Sequence, residues 1–347
     1  MKQKFLAIAL VSALPLVANA QSSVTMYGMV DASIGVENTG APGYSSRTVV
    51  QSGTQSASRL GFRGTEDLGN GLKALFNLEA AVNVDTGATN DRLFDRRAVV
   101  GLQGAFGTVT VGREYGPIAA VAGASDILGQ GFYGSNLAGF GSGKLTRRLD
   151  NSVNYQSNSL NGFTLRAAYG AGERFETDAT PDLKSNDIAG VAVEYANAGF
   201  YVGAGYQTKE DRASGDSKEY NFGIGYKFGD FELRGGYMAA DPEPVGVAPE
   251  NKYEQMNAGV SYGFGASRVY VNYQQQELEV GDAKGRAVTL AYTYALSKRT
   301  NVYASYAKLR NNDNAAFQLS SPSQPVGVAG AFGADPQVYN IGVRHSF

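Results

Sequence analysis

Histidine occurs once, at His345, and cysteine not at all, so the side chains best suited to acid–base, thiolate and zinc chemistry are nearly absent. His345 falls on the apolar parity of an alternating stretch, a position for an interfacial histidine rather than a general base. Asp85, Asp91, Asp178 and Asp182 lack the spacing of a calcium loop. The pairs Gly203-Ala204-Gly205 and Gly223-Ile224-Gly225 lie inside strand patterns with no helix after them, which argues against a dinucleotide site. No enzyme activity, metal or cofactor is therefore expected. What remains is arginine. Arg59, Arg63, Arg97, Arg148 and Arg166 share the polar parity of their segments, and Arg113 ends its own. A guanidinium stays charged at any working pH, so a row of them along a passage would sort solutes by charge rather than transform them. The acids placed to oppose them are Glu114 and Asp126. The arginines outnumber these two, so a mild preference for anions is expected.

The elements that must hold such a row are strands. In residues 24–37, Val24, Met26, Val30, Ala32, Ile34 and Val36 share one parity, and Thr25, Tyr27, Asp31 and Ser33 the other. A polar stretch over 38–57 reads as a long loop and 58–64 as a second strand, with Asn70 and Gly71 suited to the reversal that follows. The alternation then recurs through residues 337–347, giving about sixteen strands of roughly the 10-residue length of tilted transmembrane strands. Connections alternate strictly between short turns and longer Gly-, Asp- and Asn-rich loops. Tyr220, Phe222, Ile224, Tyr226 and Phe228 face one way, and Glu219, Asn221, Gly223, Gly225 and Lys227 the other. A sixteen-strand sheet with so polar and glycine-rich a face cannot be a packed core. It suits the water-filled interior of a closed barrel. The expected fold is all-β: a 16-stranded antiparallel transmembrane β-barrel.

Residues 1–20 carry Lys2 and Lys4, an apolar run and an Ala18-Asn19-Ala20 ending, the pattern of a cleaved secretory signal peptide, leaving 21–347 as one barrel domain. Cleavage removes two of 30 basic residues, and 28 against 32 acidic gives a net charge of −4, which suggests no nucleic-acid partner. No later apolar run is long enough for a membrane helix, so any membrane role belongs to the strands.

Several segments resemble the trimeric general porins of Gram-negative outer membranes, most closely the β-proteobacterial type. They are Val24-Thr25-Met26-Tyr27-Gly28 with Asp31, Ser58-Arg59-Leu60-Gly61-Phe62-Arg63-Gly64-Thr65-Glu66-Asp67-Leu68-Gly69, Val111-Gly112-Arg113, Asp150-Asn151-Ser152-Val153-Asn154-Tyr155, Leu296-Ser297-Lys298-Arg299-Thr300 and the final Phe347. The resemblance implies a homotrimer in outer-membrane lipid, including lipopolysaccharide. It also implies assembly by machinery that reads Phe347, and passive passage of ions and small hydrophilic solutes. It implies further that the long stretch 115–147 is a third loop folded into the barrel, and it matches Arg59, Arg113 and Arg148 to the family's basic cluster. The chain departs from some relatives in having Met29 where they place a lysine, and in lacking a P-E-F-G-G segment in that loop. A substrate-specific channel is the alternative. It would need an aromatic slide, for which inward parity offers only Tyr27, Tyr201, Tyr270 and Tyr303.

Overall fold

The computed structural model describes residues 23–173, 186–210, 216–243 and 251–347. The expected signal peptide, Asp178 and Asp182 lie outside the described residues. Sixteen strands build one closed antiparallel barrel. They are β1 (Ser23–Asn38), β2 (Arg59–Gly69), β3 (Leu72–Ala81), β4 (Arg97–Gly104), β5 (Gly107–Tyr115), β6 (Arg148–Gln156), β7 (Phe163–Gly170) and β8 (Ile188–Asn197). The second half comprises β9 (Phe200–Lys209), β10 (Ser217–Phe228), β11 (Phe231–Pro242), β12 (Tyr253–Phe264), β13 (Ser267–Leu278), β14 (Ala283–Ala295), β15 (Thr300–Asn311) and β16 (Gln337–Ser346).

Alternation decides which way each side chain points. On β10, Phe222, Ile224, Tyr226 and Phe228 are 43–48% exposed on the outer wall, while Glu219 and Asn221, on the opposite parity, are buried inside. Burying the polar face and exposing the apolar one inverts a soluble sheet, and it fits lipid outside and water or protein inside. Closure gives every strand two neighbours, so no edge is left with unpaired backbone groups in lipid. The seam joins β1 to β16, from Met29 opposite Ser346 to Asn38 opposite Gln337. Phe347 extends it, since its backbone exchanges two 3.1 Å hydrogen bonds with Gly28.

One rim carries tight turns. At Asn70-Gly71 both residues have positive φ (53° and 77°), which suits the twist of the flanking strands. Aromatic rings line this rim: Tyr226, Phe228, Phe231, Tyr262 and Phe264 follow one another with centroids 4.5–5.8 Å apart, an interfacial girdle. The other rim carries the long connections. Two details differ from the sequence reading. The connection between β13 and β14 is also short, so the alternation of lengths is not strict. The expected loop 38–57 contains a strand, Arg47–Ser52, paired with the upper half of β1 from Ala32 opposite Ser52 to Glu37 opposite Arg47. Its Thr48 and Val50 keep the period of two, but the polar residues around them hide so short a strand.

Candidate functional site

The third long loop, L3 (residues 116–147), leaves β5 and turns into the lumen. Its first element is the helix α1 (Pro117–Ala124), with proline at a position where no helical N–H is needed. L3 lies along the inner wall of β9–β14. Ile118 and Ala122 pack with Leu145, Met238 and Tyr253, and Ile127, Leu128 and Phe132 pack with Ala291 and Tyr303. The glycine-rich inner face is the floor on which this loop rests. A Cβ at Gly223 would meet the Ser125 side chain at 2.5 Å, and one at Gly259 would meet Ile127 at 2.1 Å.

Inward amides fix the loop by its backbone. Asn221 donates to the Ile118 carbonyl (2.7 Å), Asn257 to Ser125 (3.2 Å), Asn272 to Gly134 (2.9 Å) and Gln207 to Thr146 (3.1 Å). The Thr289 hydroxyl donates to the Tyr133 carbonyl at 2.7 Å. These donors sit on five strands, so the loop is stitched across the wall and not held at one point. At the far end the Phe132 N–H donates to Thr54 (2.7 Å) and the Tyr133 hydroxyl to Gln51 (2.9 Å), which gives the Arg47–Ser52 strand its role. Tyr303 and Tyr270 pack around Phe132, with ring centroids 5.5 and 6.3 Å away, and do not form an open aromatic slide.

Asp126 is fully buried at the centre of L3, where its carboxylate accepts N–H bonds from Leu128 (2.9 Å), Gln130 (3.2 Å) and Asn136 (3.0 Å). Burial pushes this carboxyl up to about 6, against the opposing pull of the three donors. It therefore organises the loop rather than facing the channel. Glu114 is also buried and is bound to Arg97 at 2.5 Å, on the same wall as the arginines.

The arginines of the expected basic wall separate into three sets. Arg97, Arg113 and Arg166 are each matched by a carboxylate: Glu114, Asp150 and Glu194 respectively. Arg63 lies over the Tyr27 ring at 5.0 Å, four residues below Arg59 and so roughly 13 Å nearer the tight-turn rim. Arg59 and Arg148 enter a tighter group with Arg96 and Arg147, gathered around Tyr115. Arg148 and Arg96 each reach the Tyr115 hydroxyl at 3.0 Å, and Arg148 and Arg147 lie over its ring at 4.8 and 5.4 Å. Among the described residues, Glu79 is the one carboxylate paired with this group, 2.6 Å from Arg96 and 3.9 Å from Arg59. Burial pushes the Arg147 guanidinium down to about 10, and Arg148, Arg96 and Arg59 push the same way. Arg147 still stays cationic near neutral pH. Arg59, Arg96 and Arg147 line one cavity of about 410 Å³ together with Arg97, Glu114, Arg166 and the lumen-facing side of α1.

Sequence parity places Arg59 and Arg148 but misses Arg96, Arg147 and Tyr115. Arg96 precedes its strand and Arg147 ends a loop, so neither has a parity to read, and Tyr115 follows a register shift between Gly112 and Glu114. The adjacent pairs Arg96-Arg97 and Arg147-Arg148 were the available signal. His345 sits on the rim with its Nδ1 2.8 Å from the Thr300 hydroxyl.

A family model described as Gram-negative porin matches residues 7–314. The chain is 32% identical to outer membrane porin protein 32 of Delftia acidovorans over the full length of both. It is also 32% identical, again over the full length of both, to an outer membrane porin protein of Bordetella pertussis. Among solved structures, the anion-selective porin from Comamonas acidovorans superimposes with a TM-score of 0.84 at 29% identity, covering 94% of this chain and all of that one. With a closed barrel, an apolar outer wall and a lumen narrowed by an inserted loop, this chain belongs to the Gram-negative porins and forms a diffusion channel in the outer membrane.

Proposed function

We propose that the channel prefers anions because the L3 constriction confronts a passing solute with Arg59, Arg96, Arg147 and Arg148 against a single carboxylate, Glu79. The observation that carries this reading is that Arg147 and Arg148 have no carboxylate within ion-pair distance among the described residues, while both line a cavity of about 430 Å³ between L3 and residues 316–325. The whole chain is acidic, but a narrow passage responds to the charges nearest the solute, because distant ones are screened within about 8–10 Å by salt. Preference, not strict selection, is expected, since Arg97 and Arg166 on the same wall are neutralised by Glu114 and Glu194. The name of the solved relative from Comamonas acidovorans supports the same direction.

The rest of the proposal concerns assembly. The channel works as a homotrimer of such barrels without enzymatic activity, residues 1–20 are removed on export, and the final strand with Phe347 is read by the barrel-insertion machinery. Replacing both Arg59 and Arg148 by alanine tests the electrostatic part. Each charge contributes about 0.5 kcal/mol at roughly 8 Å in a water-like dielectric, and removing both is expected to lower the anion-to-cation permeability ratio about fivefold. An unchanged ratio in planar bilayers would remove these residues from the selectivity filter.

A further inference from the structure

Tyr115 stands at the neck of L3. The chain leaves β5 at Tyr115 and re-enters the wall at Arg148, its partner directly across the ladder, and the Gly116 N–H closes the neck on the Arg147 carbonyl at 3.0 Å. This position brings one phenol into contact with three cations. Arg148 and Arg147 lie over its ring at 4.8 and 5.4 Å, and its oxygen accepts from Arg96 and from Arg148, each at 3.0 Å. Guanidinium groups crowded around one carboxylate repel each other and need support to stay in place. An aromatic face attracts them through its negative quadrupole, and a phenol oxygen takes their N–H donors without adding a negative charge to the passage. A carboxylate at this position would instead pair with the arginines and cancel the charge they present, as Glu114 does for Arg97.

The hydroxyl is also left with a hydrogen to give. A tyrosine oxygen has two lone pairs and one hydrogen. Both lone pairs are taken by guanidinium donors, and among the described residues no side chain or carbonyl accepts the hydrogen. Two cationic donors draw electron density from the oxygen and strengthen its O–H as a donor in turn. Tyr115 lines the cavity of about 410 Å³ that Arg59, Arg96 and Arg147 also line, where the acceptor at hand is an anion on its way through. We infer that Tyr115 sets specificity among anions: its ring positions Arg147 and Arg148, and its hydroxyl donates to the anion in transit. Strong hydrogen-bond acceptors such as carboxylates are thereby favoured over weak ones such as nitrate.

This inference deepens the proposed anion preference and rests on the same passage, but its test compares one anion with another. The test uses the full-length protein in planar bilayers, with zero-current potentials measured under gradients of potassium acetate and of potassium nitrate. Tyr115→Phe keeps the ring and removes the hydroxyl, and is expected to lower the acetate-to-nitrate permeability ratio about threefold, the worth of one hydrogen bond. Tyr115→Leu removes both, and should show the same fall together with a noisier open-channel current, because Arg147 and Arg148 lose their support. An unchanged ratio in both variants would overturn the inference. So would an equal fall in the permeability of both anions relative to potassium, which would make Tyr115 a support and nothing more. A Leu variant as quiet as the Phe variant would remove the positioning role of the ring. The sign of the wild-type potential judges the anion preference itself. A wild type that passed potassium more readily would contradict that reading, and the acetate-to-nitrate comparison would still decide on Tyr115.

Discussion

Deleting Phe347 will reduce the amount of folded barrel recovered from the outer membrane about tenfold, while the barrels that do form will conduct normally. The reason lies in the seam. Phe347 supplies the last two backbone hydrogen bonds between the final strand and β1, both to Gly28. Its ring covers that glycine so closely that a Cβ there would come within 2.4 Å of it. An aromatic ring laid over a cross-strand glycine protects a stretch of backbone that has no side chain of its own. Without it, the seam would open Gly28 to lipid at the point where the first and last strands must find each other. In lipid an unpaired backbone group costs several kcal/mol, so closure, the slowest and least local pairing of the fold, should suffer most. The channel lining should be unchanged, because Phe347 covers the outer face of the wall, whereas Arg59, whose backbone lies beside Gly28, turns its side chain to the inner face. Heat-modifiable mobility on gels and outer-membrane yield measure the first part, and single-channel conductance the second. Normal yield of the truncated chain would show that the seam closes without its last residue.

Replacing Asp126 by alanine should have the largest effect on the channel itself. The carboxylate holds three backbone N–H groups in the middle of L3, and the turn it organises contains Gln130 and Phe132, both left-handed (φ 59° and 54°). A non-glycine residue held in that region costs of order 1–3 kcal/mol, and an unsatisfied buried donor costs about the same. Losing the acceptor removes what compensates for both. The wall side chains still hold the loop at Ile118, Ser125, Gly134 and Thr146, so the barrel should fold, but the turn between Ser125 and Gly134 should lose its fixed shape. The expected result is a larger and noisier open-channel current in planar bilayers, with Asp126→Asn milder because it keeps one acceptor oxygen. A quiet current of wild-type size from Asp126→Ala would mean that apolar packing alone fixes the loop.

These two residues also mark how far the sequence could be read. The strand pattern was legible because lipid outside and water inside impose the same alternation on every strand, and a period of two survives in each. Phe347 was legible with it. Asp126 was legible as an acid in the right loop but not in its role, because whether a carboxylate faces solvent or backbone donors depends on how the loop folds. The glycines and amides on the inner face were read as water-lining by their polarity. Polarity could not distinguish water from a polypeptide segment, since Asn221, Asn257 and Asn272 would donate equally well to either. The basic group was half legible: strand parity placed Arg59 and Arg148, whereas Arg96 and Arg147 lie where a strand has not begun or a loop is ending.

The central claim is that the local charge of the L3 constriction, and not the acidic character of the whole chain, sets what passes. It is tested most directly by the zero-current potential of the wild-type protein in a planar bilayer under a potassium chloride gradient. The arrangement of Arg59, Arg96, Arg147 and Arg148 around a single carboxylate predicts a potential of the sign set by chloride passing more readily than potassium, falling as the mean salt concentration rises. A potential of the opposite sign, showing that potassium passes more readily, would contradict it.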